Sequence, residues 1–200
     1  RITSQVCRKV AAAAMREHDD LKCVRVAVQG LGNVGWHLAR RLSDAGAVLL
    51  VSDIHNSRMS EAQRTFGATP VPAYRIYDTP VEIFAPCALG AIINDDTLAR
   101  LKAKIVTGSA NNQLAEERHG IDLKSANILY APDYAINAGG VINIYHEYCG
   151  TYDRDAAFKH IAGIGDTLSA IFKRARRLDI PTNAAANHIA EDRFRALEAA

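Results

Sequence analysis

Apolar and polar positions fall into alternating blocks along this chain. The apolar run Val24 to Gln29 reads as a strand, and helix-forming residues follow over 33–45. A second strand-like run, Ala47 to Ser52, precedes a helix predicted over 57–66, and Ala68 to Val71 is a short strand candidate. Val81 to Ala85, Ile105 to Thr107 and Ile128 to Tyr130 are further apolar runs bounded by loops and helical segments. A helix is predicted upstream over 2–17, and after Gly150 the strand signals stop. Two helices are predicted there, over 153–177 and 183–199, separated by Ile180-Pro181-Thr182, with Thr182 or Asn183 as cap. Such alternation predicts an α/β fold: a Rossmann-like, doubly wound, mostly parallel sheet with helices on both faces, and helices at the C-terminal end. The expected organisation is a single domain over 1–200, with a Rossmann core at about 20–150 and a helical extension over 151–200.

The turn between the first strand and its helix reads Gly30-Leu31-Gly32-Asn33-Val34-Gly35. In strand–turn–helix context this pattern predicts dinucleotide binding. Gly30 serves the tight turn, Gly32 lets the backbone approach a pyrophosphate, and Gly35 lets the helix pack close to the strand. Unpaired N–H groups of the helix's first turn then face the phosphates. Asp53, just after the second strand, stands at about the twenty-residue separation used by the acid that holds the adenosine ribose. It points to NAD, because against a 2′-phosphate the same carboxylate would be repelled, and no basic residue follows until His55 and Arg58.

Composition narrows the alternatives. Two hundred residues, 48% hydrophobic and 23% charged, suit one well-buried soluble domain. A net charge of +2 with scattered basic residues gives no reason to expect nucleic acid, and the densest cluster, Lys173 to Arg177, reads as a solvated helix face near a C-terminal end. No apolar run is long enough to span a bilayer, and Arg8 and Lys9 interrupt the N-terminal stretch, so no signal peptide and a cytoplasmic home are expected. With arginine first and Met15 inside the first predicted helix, the chain reads as a piece of a longer polypeptide. The four cysteines, Cys7, Cys23, Cys87 and Cys149, form no Cys-x-x-Cys pair and no two histidines have metal-ligand spacing, so free thiols and no metal site are expected. His119 reads as the end of a charged helix, and Asp133 as a helix cap before Tyr134 to Asn137.

In a doubly wound sheet the ligand lies outside the carboxyl ends of the strands. Pro86 to Gly90, Gly108 to Gln113 and Pro132 to Gly140 follow those ends, and each is rich in Gly, Ala, Asn or Pro. Together with the glycine loop, Phe84-Ala85-Pro86-Cys87-Ala88-Leu89-Gly90, Gly108-Ser109-Ala110-Asn111-Asn112-Gln113 and Ala131-Pro132-Asp133-Tyr134 through Ile136-Asn137-Ala138-Gly139-Gly140-Val141 resemble the NAD-dependent dehydrogenases of glutamate, leucine, phenylalanine and valine. The likeness is greatest to the leucine, phenylalanine and valine branch and extends through Gly165 to Ala190.

The resemblance implies reversible oxidative deamination of an L-amino acid to a 2-oxo acid and ammonia, with hydride passing to NAD. It implies that the acid–base lysine and aspartate belong to an N-terminal catalytic domain that this chain does not contain. No catalytic residue is therefore assigned, and Lys9 and Lys22 are not promoted to that role. The resemblance gives Gly30, Gly32, Asn33, Val34 and Gly35 to the pyrophosphate loop and Asp53 to the ribose. It gives Cys87, Ala88 and Leu89 to the path between adenosine and nicotinamide ribose, and Asn111 and Asn112 to the nicotinamide end, with Asn112 also facing substrate. Cys87, with no neighbouring base, is not expected to be a nucleophile. Val141 and Ile144, three apart on the helix after Gly140, share a face and by resemblance line an apolar side-chain pocket; packing of that helix into the core is the competing explanation. The partners expected are an amino-acid substrate and further copies in a homo-oligomer, with neither nucleic acid nor membrane. A second reading is a non-catalytic NAD-binding or interaction module, which the polypeptide upstream of Arg1 would distinguish from the first.

Overall fold

The computed structural model describes residues 21–150 and 152–198. The helix predicted over 2–17 lies outside the described residues. Six strands, β1 (Arg25–Gln29), β2 (Val48–Ser52), β3 (Thr69–Pro70), β4 (Val81–Pro86), β5 (Ala103–Val106) and β6 (Leu129–Tyr130), form one sheet in the order β3-β2-β1-β4-β5-β6. Every pairing is parallel. The chain runs outward from β1 on one side, returns, and runs outward through β4, so the order reverses between β1 and β4. That reversal opens a crevice at the carboxyl ends of the central strands.

The strands read as continuous apolar runs because both faces of the sheet are covered. Val26, Val28, Leu49, Val51, Ile83, Ala85 and Ile105 enter one core, and Ala27, Leu50, Phe84 and Val106 the other, as the two-residue period of a strand requires. Helix α1 (Asn33–Asp44) meets the first core through Gly35, Leu38, Ala39 and Leu42, one stripe at helical spacing. Helix α2 (Asn56–Phe66) follows β2; α3 (Asp95–Leu98) and α4 (His119–Ser125) flank β5 in sequence; and α5 (Asp133–Ile136) and α6 (Ala138–Tyr148) follow β6.

The C-terminal extension differs from expectation in one respect. The single helix predicted over 153–177 is two, α7 (Arg154–Ala162) and α8 (Ile164–Leu178), with α9 (Thr182–Glu198) after them. Gly163 closes α7 by donating to the His160 carbonyl, and its own carbonyl accepts from Asp166 and Thr167 to open α8. The break lets α7 pack on α6 while α8 packs on α5 and α9. His119 opens α4 and is buried, where the sequence pattern placed it at a helix end. Cys23, Cys87 and Cys149 are free thiols. Among the described residues no helix is long and apolar enough to cross a membrane.

Candidate coenzyme-binding site

The glycine loop leaves β1 at the point of reversal. Gly30 has φ +95°, a conformation that side chains rarely adopt, and a Cβ there would stand 2.8 Å from that of Ala88. The Gly30 N–H donates to the Ser52 carbonyl and the Cys87 N–H to the Gln29 carbonyl, both at 2.7 Å, so the turn is tied to the ends of β2 and β4. At Gly35 a Cβ would lie 2.0 Å from the Gly30 carbonyl oxygen, so only glycine lets α1 approach the turn this closely. Gly32 is different: its backbone is ordinary, with φ −66° and ψ −169°, and a Cβ there would meet nothing within 4 Å. The space above Gly32 is open, as a backbone approached by a pyrophosphate needs. Gly32 caps α1 without any side-chain cap, and the first turn carries no acid to compete for an anion.

Asp53 stands one residue past β2 with its side chain 5% exposed. Its Oδ2 accepts from the Leu31 N–H at 2.6 Å and its Oδ1 from the His55 N–H at 2.8 Å. The carboxylate therefore braces the glycine loop, and each oxygen retains a lone pair for a ribose hydroxyl. The Arg58 guanidinium lies 3.9 Å from Oδ2.

A cleft of about 550 Å³ opens here and joins Gly30, Gly32 and Asp53 to Cys87, Ala88 and Leu89. Arg58 lines it too, and so do Ile54, Ala73, Tyr74, Tyr77 and Ile92, which the sequence did not single out. Tyr77 is fixed by accepting from Gln29 Nε2 at 2.8 Å and by its ring packing 5.5 Å from that of Phe84. No local signal marked these tyrosines, since only the return of the segment after β3 brings them to the crevice. Asn33 and Val34 are exposed on the first turn of α1 and Gly35 is buried beneath it; none of the three lines the cleft. Burial pushes the Cys87 thiol above its usual range, in keeping with a packed thiol.

Asn111 and Asn112 lie in the loop after β5, outside that cleft. The loop is stitched to the one after β4, the Ala91 N–H donating to the Asn112 carbonyl at 2.6 Å and the Ile93 N–H to that of Gln113 at 2.9 Å. Asn112 has φ +51° and donates its N–H to Asp133 Oδ2 at 2.6 Å, while Asp133 Oδ1 accepts from the Tyr130 hydroxyl at 2.6 Å. Asp133 is thus the buried first residue of α5 and a brace for the Asn112 loop, and it does not cap its own helix. Burial first, and then this carboxylate, hold the Tyr130 phenol far above its ordinary range. Asn137 Nδ2 donates to the Ser109 carbonyl at 2.8 Å and to Asn111 Oδ1 at 3.1 Å, which fixes the Asn111 side chain from the residue just before α6. Helix α6 buries none of its residues, and Val141 and Ile144 are 70% and 63% exposed. Core packing within the described residues is therefore not what these two side chains do.

The residues fit a dinucleotide: a helix start without a side-chain cap, a braced carboxylate just past β2 and an apolar-walled cleft between them. Comparison with known proteins agrees with this geometry. Over 186 residues the chain is 50% identical to leucine dehydrogenase of Thermoactinomyces intermedius, covering 93% of this chain and 50% of that protein. The crystal structure of L-tryptophan dehydrogenase from Nostoc punctiforme superposes with a TM-score of 0.93 at 46% identity, covering all of this chain and 60% of that one. A hetero-hexameric glutamate dehydrogenase from Thermus thermophilus shares the fold, with a TM-score of 0.70 at 20% identity over 96% of this chain and 52% of that one. The chain spans about half the length of the relatives it matches. The sequence profile of glutamate/leucine/phenylalanine/valine dehydrogenases matches residues 50–193, and the chain belongs to that family.

Proposed function

We propose that this chain is the coenzyme-binding half of an NAD-dependent L-amino-acid dehydrogenase, one that reversibly deaminates an apolar amino acid to its 2-oxo acid and ammonia. The observation that carries the reading is the cleft in which the open Gly32 backbone and the braced Asp53 carboxylate stand together. Bound NAD supplies a nicotinamide ring that accepts hydride. The chain's own residues bind and orient it: Gly30, Gly32, Asn33, Val34 and Gly35 form the N–H-lined loop for the pyrophosphate, and Asp53 accepts from the adenosine ribose. Cys87, Ala88 and Leu89 form the wall along which the coenzyme extends. Asn111 and Asn112, held by Asn137 and Asp133, serve the nicotinamide end, with Asn112 also reaching substrate. Val141 and Ile144 offer the substrate side chain an apolar wall that cannot compensate a carboxylate. The acid–base groups come from a separate N-terminal catalytic half, and the enzyme is a cytoplasmic homo-oligomer. A bare NAD-binding module would have no use for the exposed apolar residues of α6.

Comparative titration tests the coenzyme assignment. NADH binds more tightly than NADPH, and Asp53→Ala narrows the difference, because a carboxylate accepts from a hydroxyl and repels a phosphate. Equal affinities in the unmodified protein would overturn the role given to Asp53. Residues 1–200 alone show no turnover of leucine or phenylalanine, since positioned acid–base groups contribute about a hundredfold or more; robust NADH production by them would place the chemistry in this half.

A further inference from the structure

His119 is a buried titratable side chain that the coenzyme reading leaves unused. It is 1% exposed, and its Nε2 has no hydrogen-bond partner, a condition that a buried polar atom in a native fold calls an explanation for. Its other nitrogen is provided for: Nδ1 accepts from the Glu116 N–H at 3.0 Å and stands 3.1 Å from the Glu116 carbonyl oxygen. In this arrangement the Glu116 N–H donates to Nδ1, which leaves the ring proton on Nε2; the Glu116 carbonyl can accept an Nδ1–H in the other tautomer, and it is in that tautomer that Nε2 presents the lone pair of a metal-binding imidazole. Asp95 Oδ1 lies 3.4 Å from Nε2, and Asp122 follows His119 by one turn on the same face of α4. One ligand atom from each of Asp95, His119 and Asp122 lies within 4.8 Å of the others.

The cluster has a resident cation, and that cation does not exhaust it. Arg118 donates to both oxygens of Asp95, at 2.9 and 2.7 Å, and to Glu116 Oε2 at 3.0 Å, and comes within 3.7 Å of Asp122. Three carboxylates, Asp95, Glu116 and Asp122, face one guanidinium, so with His119 neutral the group keeps two negative charges in excess. Glu116 offers Arg118 a second partner when Asp95 turns away, and the exposed carboxylates of Asp95 and Asp122 can rotate toward a shared ion. One imidazole nitrogen with two carboxylates suits a borderline divalent ion of the Zn²⁺ type, with water completing the shell.

We propose that Asp95, His119 and Asp122 form a binding site for a Zn²⁺-class divalent ion, outside the coenzyme cleft. The site joins two segments already in register, since Ile93 pairs with Leu114 and the Ala115 N–H donates to the Ile93 carbonyl at 2.9 Å. An ion there ties the loop after β4 to the loop that carries Asn111 and Asn112.

The test is calorimetric titration of the chelator-treated full-length protein with ZnCl₂, repeated with CoCl₂ by absorbance. The unmodified protein binds saturably, and Asp95→Asn and Asp122→Asn, both on exposed side chains, each weaken Zn²⁺ by at least about tenfold, the lower end of what even outer partners contribute. Arg118→Gln removes the competing cation and tightens binding. His119→Asn abolishes it, and if that buried change impairs folding the two aspartate variants decide the matter. Absence of saturable Zn²⁺ binding, equal binding by the Asp95→Asn/Asp122→Asn double variant, or weaker binding by Arg118→Gln would each overturn the site.

Discussion

The glycine loop and helix α6 make opposite use of the same chain. Around Gly30 and Gly35 every demand is met from within: the positive φ, the contact with Ala88, the ties to Ser52 and Gln29, and the Asp53 brace are all on the described residues. Helix α6 carries Val141, Ile144, Tyr145 and Tyr148 in solvent and touches the core only through the half-buried Ala138 and Ile142. One region is shaped by what it already touches, the other by what it has yet to meet. Substitutions that look alike should therefore divide into those that unfold the protein and those that leave it folded but altered in function.

The largest effect belongs to Gly35→Ala. The new methyl would sit on the Gly30 carbonyl, so α1 or the turn must move, at a cost of about 3 kcal/mol or more, the upper part of the overpacking range. A fall in the urea midpoint with unchanged slope would show it. Asp133→Ala comes next: the Asn112 N–H and the Tyr130 hydroxyl lose their acceptor, which costs about 1–3 kcal/mol in the same measurement.

Ile144→Ser is the counterpart on α6. Its stability stays within about 0.5 kcal/mol, as for other exposed positions, while the proposed preference of the full-length enzyme for leucine over glutamate erodes by roughly 1–3 kcal/mol. The ratio of kcat/KM values for the two substrates is the readout, and an unchanged ratio would remove Ile144 from the pocket. Gly32→Ala changes stability by under about 1 kcal/mol, far less than Gly35→Ala, because the site is open and alanine is only a poorer cap. NADH affinity should nonetheless fall by about tenfold, or 1.4 kcal/mol. If stability fell as far as for Gly35→Ala, the distinction between the two glycines would fail.

The parts legible in the sequence are those whose cause is local. Val26 to Val28, Leu49 to Val51 and Ile83 to Ala85 announce strands because burial on both faces demands unbroken apolar runs, and the strand ends fell within a residue or two of expectation. Gly163 was not legible as a break, since an isolated glycine inside a helical pattern is tolerated and only the packing of α7 on α6 selects the bend. Asp133 carried a cap-like signal at a position where a partner 21 residues away, Asn112, claims its carboxylate. Tyr74 and Tyr77 reach the cleft, and Asp95 reaches His119, only through the way the segments return to the sheet. Spacing along the chain carries no trace of such meetings.

The double engagement of Asp53 sets a condition on redesigning coenzyme choice. Its oxygens hold the Leu31 and His55 N–H groups, so the residue is a joint of the loop in addition to the selecting role proposed for it. Replacing it with a small apolar residue to admit a 2′-phosphate leaves both donors without acceptors and loosens the turn that must grip the pyrophosphate. Serine or asparagine retains an acceptor for one of them, and Arg58, 3.9 Å away, already supplies a cation for the phosphate. A change of coenzyme in this scaffold thus has to remove the negative charge at position 53 while keeping an acceptor there for the loop.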